Sequence, residues 1–112
     1  MDPAALAERY FATMIKADVD ALAALFTEDA TMAKPDGREL VGREAIRANY
    51  VALFTVERPI PNPVETVAGA RSIAFEIEGR LADGTPTRTS NFFFFNSDGL
   101  IERISAYRRP VV

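Results

Sequence analysis

Apolar residues in the first half of the chain recur at helical spacing. Leu6, Ala7, Tyr10, Phe11, Met14 and Ile15 form one wide stripe. Asp2-Pro3 ahead of it is a helix start, an N-cap followed by Pro at the first helical position. Asp18 caps a second, short helix with Val19, Leu22, Ala23 and Phe26 on one face, ended by Glu28-Asp29. Ala30–Lys34 is expected as a short strand, stopped by the turn signal Pro35-Asp36-Gly37. Met32 and Lys34 share one face of that strand; Thr31 and Ala33 share the other. Gly42 opens a third helix whose Ile46, Asn49, Tyr50 and Leu53 follow i, i+3, i+4, i+7, which places Asn49 inside an apolar stripe.

The second half alternates instead. Pro59, Pro61 and Pro63 forbid a helix and lead into an edge strand, Val64–Ala68. Arg71–Ala82 is a longer strand with Ile73, Phe75, Ile77 and Leu81 on one face and Glu76, Glu78 and Arg80 on the other. Asp83-Gly84 turns into Thr87–Asn96, and Ser97-Asp98-Gly99 turns into Leu100–Arg109. Within Thr87–Asn96, Asn91, Phe93 and Phe95 point one way and Phe92 and Phe94 the other. A strand with one wet face would alternate apolar and polar residues. Both faces are therefore covered, one by the helices and the other by a second subunit. Asn91 is left among rings, needing a partner or a ligand, or it ends a capped core strand. The last strand is ambiguous: Glu102, Ile104, Ala106 and Arg108 share one face, and Ile101, Arg103, Ser105, Tyr107 and Arg109 the other. The order predicts an α+β fold of one domain over 1–112, with three helices packed on one face of a curved, mostly antiparallel sheet.

Composition narrows the chemistry. A net charge of −3 argues against a nucleic-acid partner, which needs a basic patch. The apolar runs are too short to span a membrane, and the N-terminus lacks a basic signal region, so a cytoplasmic protein is expected. There is no Cys and no His. Disulfides, thiolate metal sites and Ser-His-Asp chemistry are thereby excluded, and neither a metal nor a cofactor is expected. Acid–base work must fall to a carboxylate, a Lys or a Tyr.

Several stretches together carry a resemblance: Glu8-Arg9-Tyr10, Asp18 to Phe26, Glu28-Asp29-Ala30-Thr31, Gly42 to Arg47, and the Phe95 to Ile101 hairpin. They resemble the SnoaL-like and ketosteroid-isomerase-like branch of the nuclear-transport-factor-2-like superfamily. The resemblance implies a cone-shaped homodimer with a pocket between the helices and the concave sheet. It puts Tyr10 where the isomerase tyrosine bonds the developing oxyanion, and Tyr50 where a second tyrosine supports it. The family's base is an aspartate directly before a proline, and here Lys34 precedes Pro35. The protonated aspartic acid falls at Asn91. Without the base carboxylate, the usual ketosteroid proton shuttle is not expected. Relatives that depend on His have no counterpart here, and the Asp–Arg–Asp set of epoxide-opening relatives is not placed.

Tyr10, Lys34 and Asn91 are the candidate catalytic groups. Met14, Phe26, Met32, Asn49, Tyr50, Phe75, Phe93, Ile104 and Arg108 are the candidate substrate contacts. Three readings of Lys34 stand, in this order: a stem packed on the rim with its ammonium in water or paired with Asp36 or Glu39, recognition of an anion, and amine chemistry. Tyr10 is either a ligand contact or a core residue with a satisfied hydroxyl. The outer face, with Phe92, Phe94, Ile101 and Tyr107 rimmed by arginines, is expected to be a dimer surface. Two functions follow. One is an acid–base enzyme of isomerase, lyase or cyclase type on a carbonyl-bearing or acidic small molecule. The other is a non-catalytic dimeric ligand-binding or regulatory module.

Overall fold

The computed structural model describes residues 1–80 and 83–110. The expected place of Leu81, and the strand end at Ala82, lie outside the described residues. Helix α1 runs Pro3–Ile15, with Asp2 Oδ1 accepting from the Ala4 N–H at 3.1 Å. Its buried face carries Ala7 and Tyr10, while Ile15, the last residue of the helix, is exposed. Helix α2, Val19–Ala23, is shorter than its apolar pattern suggests. Asp18 Oδ1 caps it through the Ala21 N–H, and a tight bond from Leu25 N–H to the Leu22 carbonyl closes it.

Phe26 is therefore not on a helix. It begins strand β1, Phe26–Ala33, which takes in Glu28 and Asp29 as exposed strand residues. Five helical residues leave no further turn to carry Phe26, and the parallel pairing of Phe26 with Ile101 draws it into the sheet instead. Strand β2, Glu39–Val41, was not signalled by the sequence; it hairpins onto β1 across the Pro35-Asp36-Gly37 turn. Helix α3, Arg43–Val56, follows Gly42, whose φ of 93° is one that side chains resist. Arg43 ties its start to β1 by donating to the Phe26 carbonyl from Nε and Nη2, at 3.1 and 2.6 Å.

The remaining strands are β3 Asn62–Ala68, β4 Ser72–Arg80, β5 Pro86–Phe95 and β6 Ile101–Arg109. They complete one six-stranded sheet in the order β2-β1-β6-β5-β4-β3. All neighbours are antiparallel except β1 and β6, so the sheet is mixed. β3 begins two residues earlier than the proline pattern indicated. Pro63 is accommodated because the strand lies at the edge and breaks register between Pro63 and Glu65.

The inner face packs under α1 and α3. Phe93 and Phe95 of β5, Ile73 and Phe75 of β4, and Ile104 of β6 join Ala7, Tyr10, Ile46 and Tyr50 in one buried cluster. Ile101 belongs here too, not to the outer face. A register shift between Phe94 and Phe95 pairs Phe95 with Ile101 although Phe94 pairs with Arg103, so Ile101 and Ile104 face the same way. The extra residue erases the strict alternation on which the face assignment of β6 depended.

Candidate functional site

The inner face of the sheet is laid out in cross-strand rows. One inner row joins Ile73, Phe93, Ile104 and Met32, all buried. One step outward, Phe75 pairs with Asn91, and Asn91 with Ala106. Lys34, one residue past the Ala33–Ser105 pair, reaches this level from the end of β1. A further step gives Ile77, Thr89 and Arg108. Polarity rises along this series. The helices cover its deep end, and the outer end opens into a cavity of about 1030 Å³. That volume suits a ligand the size of a small polycycle.

Tyr10 stands over the deep row, its ring 4.9 Å from that of Phe93 in an edge-to-face arrangement. Its hydroxyl meets that of Tyr50 at 2.5 Å, joining α1 to α3. Tyr10 is 5% exposed and Tyr50 2%, and both face the cavity. Burial, the dominant cause, pushes both phenols above their ordinary value; for Tyr50 the neighbouring Tyr10 pushes the same way. Both therefore hold their protons at neutral pH. Two hydroxyls carry two protons and their mutual bond uses one, so one O–H is left to give to a ligand oxygen.

Lys34 is held from both ends. Its N–H donates to the Arg38 carbonyl at 2.8 Å, and its own carbonyl accepts from Gly37 at 3.0 Å. Its Nζ donates to Asn49 Oδ1 at 2.8 Å, and the side chain lines the cavity. An ammonium has three donors, so two remain for a ligand. The expected alternatives for its partner, Asp36 and Glu39, are not used: Asp36 is engaged by Arg38 at 2.8 Å. Among the described residues Asn91 has no side-chain hydrogen bond, and its amide faces the cavity from a half-buried position.

The cavity wall thus brings together Tyr10, Met14, Met32, Lys34, Tyr50 and Asn91, with Phe93, Ile104 and Arg108. Three expected contacts are placed elsewhere. Phe26 lies behind the tyrosines, 6.4 Å from each ring centroid, and is wholly buried. Phe75 packs edge-to-face against Phe11 and Phe93, which line the cavity while Phe75 does not. Asn49 acts on the cavity only through Lys34. Sequence reasoning overlooked Phe11, Leu53, Thr89 and Arg58 on the wall. Phe11 and Leu53 sit in stripes already recognised, and Thr89 shares a face with Asn91 by period two. Arg58, ahead of the proline run, gave no signal. Among the described residues no group of three or more Asp or Glu side chains is placed to hold a metal. Among the described residues no helix is long and apolar enough to cross a membrane.

The same architecture recurs in solved structures. One is SalBIII, an epoxide hydrolase/cyclase-like enzyme of pyran ring formation in the polyether salinomycin. It is 23% identical, with a TM-score of 0.83, over 96% of this chain and 90% of that one. A putative polyketide cyclase from Sinorhizobium meliloti is 25% identical over 90% and 92% of the two chains, with a TM-score of 0.79. A computationally designed 17-OHP binder is 19% identical over 96% and 92%, with a TM-score of 0.80. The SnoaL-like domain family matches residues 7–104, nearly the whole length. Through that match, and the helix-covered sheet beneath it, the chain belongs to the SnoaL-like family within the nuclear-transport-factor-2-like fold.

Proposed function

We propose that this protein binds a carbonyl-bearing small molecule in the cavity and acts on it as an acid–base catalyst of isomerase, lyase or cyclase type. The observation that carries the reading is the buried Tyr10–Tyr50 pair with its one spare proton, facing the same cavity as the free amide of Asn91 and the Lys34 ammonium. The tyrosine pair and Asn91 donate to the carbonyl oxygen and stabilise the charge that gathers there as an α-proton leaves. Lys34, steadied by Asn49, would take that proton as the neutral amine, becoming the ammonium, and return it to the product carbon. Likeness to a putative polyketide cyclase and to an epoxide hydrolase/cyclase-like enzyme supports the reaction class.

The test is exchange of α-hydrogens for deuterium in a panel of enolisable cyclic ketones, followed by mass spectrometry. Accelerated exchange is expected, lost by roughly a hundredfold or more in Tyr10→Phe and Lys34→Met. If Lys34→Met leaves the rate unchanged, the lysine has no catalytic role. A second reading is favoured by one feature: no carboxylate stands beside the tyrosine pair, and Glu57 and Glu78 are the acidic residues on the described wall. The protein would then hold its ligand unchanged, and ketones bound without any exchange would decide for it.

The outer face of the sheet carries Phe92 and Tyr107, 39% and 59% exposed and 5.9 Å apart, beside Phe94 under Arg103. A second copy of the chain covers it in this reading. Phe92→Asp together with Tyr107→Asp should give a monomer by light scattering; an unchanged mass assigns the face another role.

A further inference from the structure

The charge on the cavity wall is opposite to that of the chain. Among the described residues the cations lining it from the inner side are Lys34, Arg58 and Arg108, against Glu57, in a protein of net charge −3; Arg80, Arg88, Arg109 and Glu78 border it only from the outer side of the strand ends, where they alternate with Ile77, Thr89 and Arg108. Glu78 is taken up by Arg88 at 2.7 Å. Arg58 and Arg108 both line the cavity, and among the described residues neither has a carboxylate within ion-pair distance. Lys34 is bonded to a neutral amide, and among the described residues it too has no carboxylate within ion-pair distance. Clefts lined by one sign of charge focus the field and concentrate the opposite ion. Lys34, Arg58 and Arg108 line a concavity, so they address a molecule the size of the cavity and not a polymer.

The cross-strand rows say where the charge of such a molecule would sit. Thr89 pairs directly with Arg108, and its hydroxyl is free of side-chain hydrogen bonds among the described residues. This row is two residues of strand, about 7 Å, outward from Asn91. At the Asn91 level β6 contributes only Ala106, which leaves the wall clear for an apolar body.

We infer that the ligand is an amphipathic acid. Its carbonyl or enol oxygen lies at the tyrosine pair and Asn91, and an anionic group, carboxylate or sulfonate, lies on Arg108 and Thr89 at the mouth. The inference rests on the cavity being a small-molecule site and adds the anionic end and its two contacts. Two dyes of nearly one shape separate these ideas: anilinonaphthalene sulfonate, which is anionic, and phenylnaphthylamine, which is neutral. Fluorescence titration of the full chain should show the sulfonate binding more tightly, and weakening as salt is raised. Arg108→Gln should weaken the sulfonate roughly tenfold, the worth of one bond to a charged group, and leave the neutral dye unchanged. Arg71→Gln, at the far end of the sheet, should change neither. Equal affinities, with no effect of Arg108→Gln, would overturn the anionic end while leaving the cavity as a ligand site. Binding of neither dye to folded protein would overturn both.

Discussion

On β5, Phe93 and Phe95 are 1% exposed, whereas Phe92, from the same run of four rings, is 39% exposed. The residue type, the strand and the local propensity are the same. What differs is the layer on either side. Inward, the sheet meets α1 and α3, and Phe93 is boxed by Tyr10, Phe11 and Phe75 at ring separations between 4.9 and 6.0 Å. Outward, Phe92 meets Tyr107, and Phe94 lies under the Arg103 guanidinium. The inner rings build the fold and hold the tyrosine pair at the cavity; the outer rings are spare as far as this chain's own fold is concerned.

The difference is sharpest in stability. Phe93→Ala should cost about 3–5 kcal/mol, since it empties a closed site. Phe92→Ala in dilute, monomeric protein should cost less than about 1 kcal/mol. Urea denaturation of both variants measures this, and similar losses would erase the distinction between the faces.

Alkali should act on the buried tyrosine pair of the inner face. The folded protein raises the Tyr10 and Tyr50 phenols above their ordinary value of 10.0, so it holds protons that the unfolded chain releases first. Their stabilising contribution is complete below pH 10 and is lost as pH rises beyond it. Each retained proton costs about 1.4 kcal/mol per pH unit in that window. The double variant Tyr10→Phe/Tyr50→Phe should flatten the fall. Denaturation midpoints between pH 8 and 11 decide, and an unaltered fall in the double variant would contradict the buried pair.

The smallest effect lies away from both faces, at the end of α1. Ala17 has φ 53°, the left-handed region in which glycine alone is at ease. Ala17→Gly should therefore raise stability by about 0.5–1 kcal/mol, visible as a small rise in Tm. A fall would show that the side chain matters more there than the backbone.

Much of this was legible in the chain. Period two sorted Asn91, Phe93 and Phe95 from Phe92 and Phe94 without any knowledge of the fold, and helical spacing placed Tyr10 and Tyr50 on buried stripes. Three things were not legible, each for a physical reason. The helical pattern ran on through Phe26 because a strand residue entering the same core is as apolar as a helix residue would be. Ile101 was sorted to the wrong face because a register shift adds one residue that no composition announces. The bond from Lys34 to Asn49 joins residues fifteen positions apart, on a turn and a helix, and only the folded geometry brings them within 2.8 Å.

The central claim is that the inner face, and not the outer, encloses a chamber where tyrosine, amide and ammonium groups converge. Titration of isotope-labelled protein with naphthol, whose hydroxyl and rings imitate an enol on an apolar body, tests it by NMR. Amide shifts should cluster at Tyr10, Met32, Asn91 and Ile104, and Tyr10→Phe should weaken them. Shifts gathered at Phe92, Phe94 and Tyr107, or none at saturating naphthol, would contradict it.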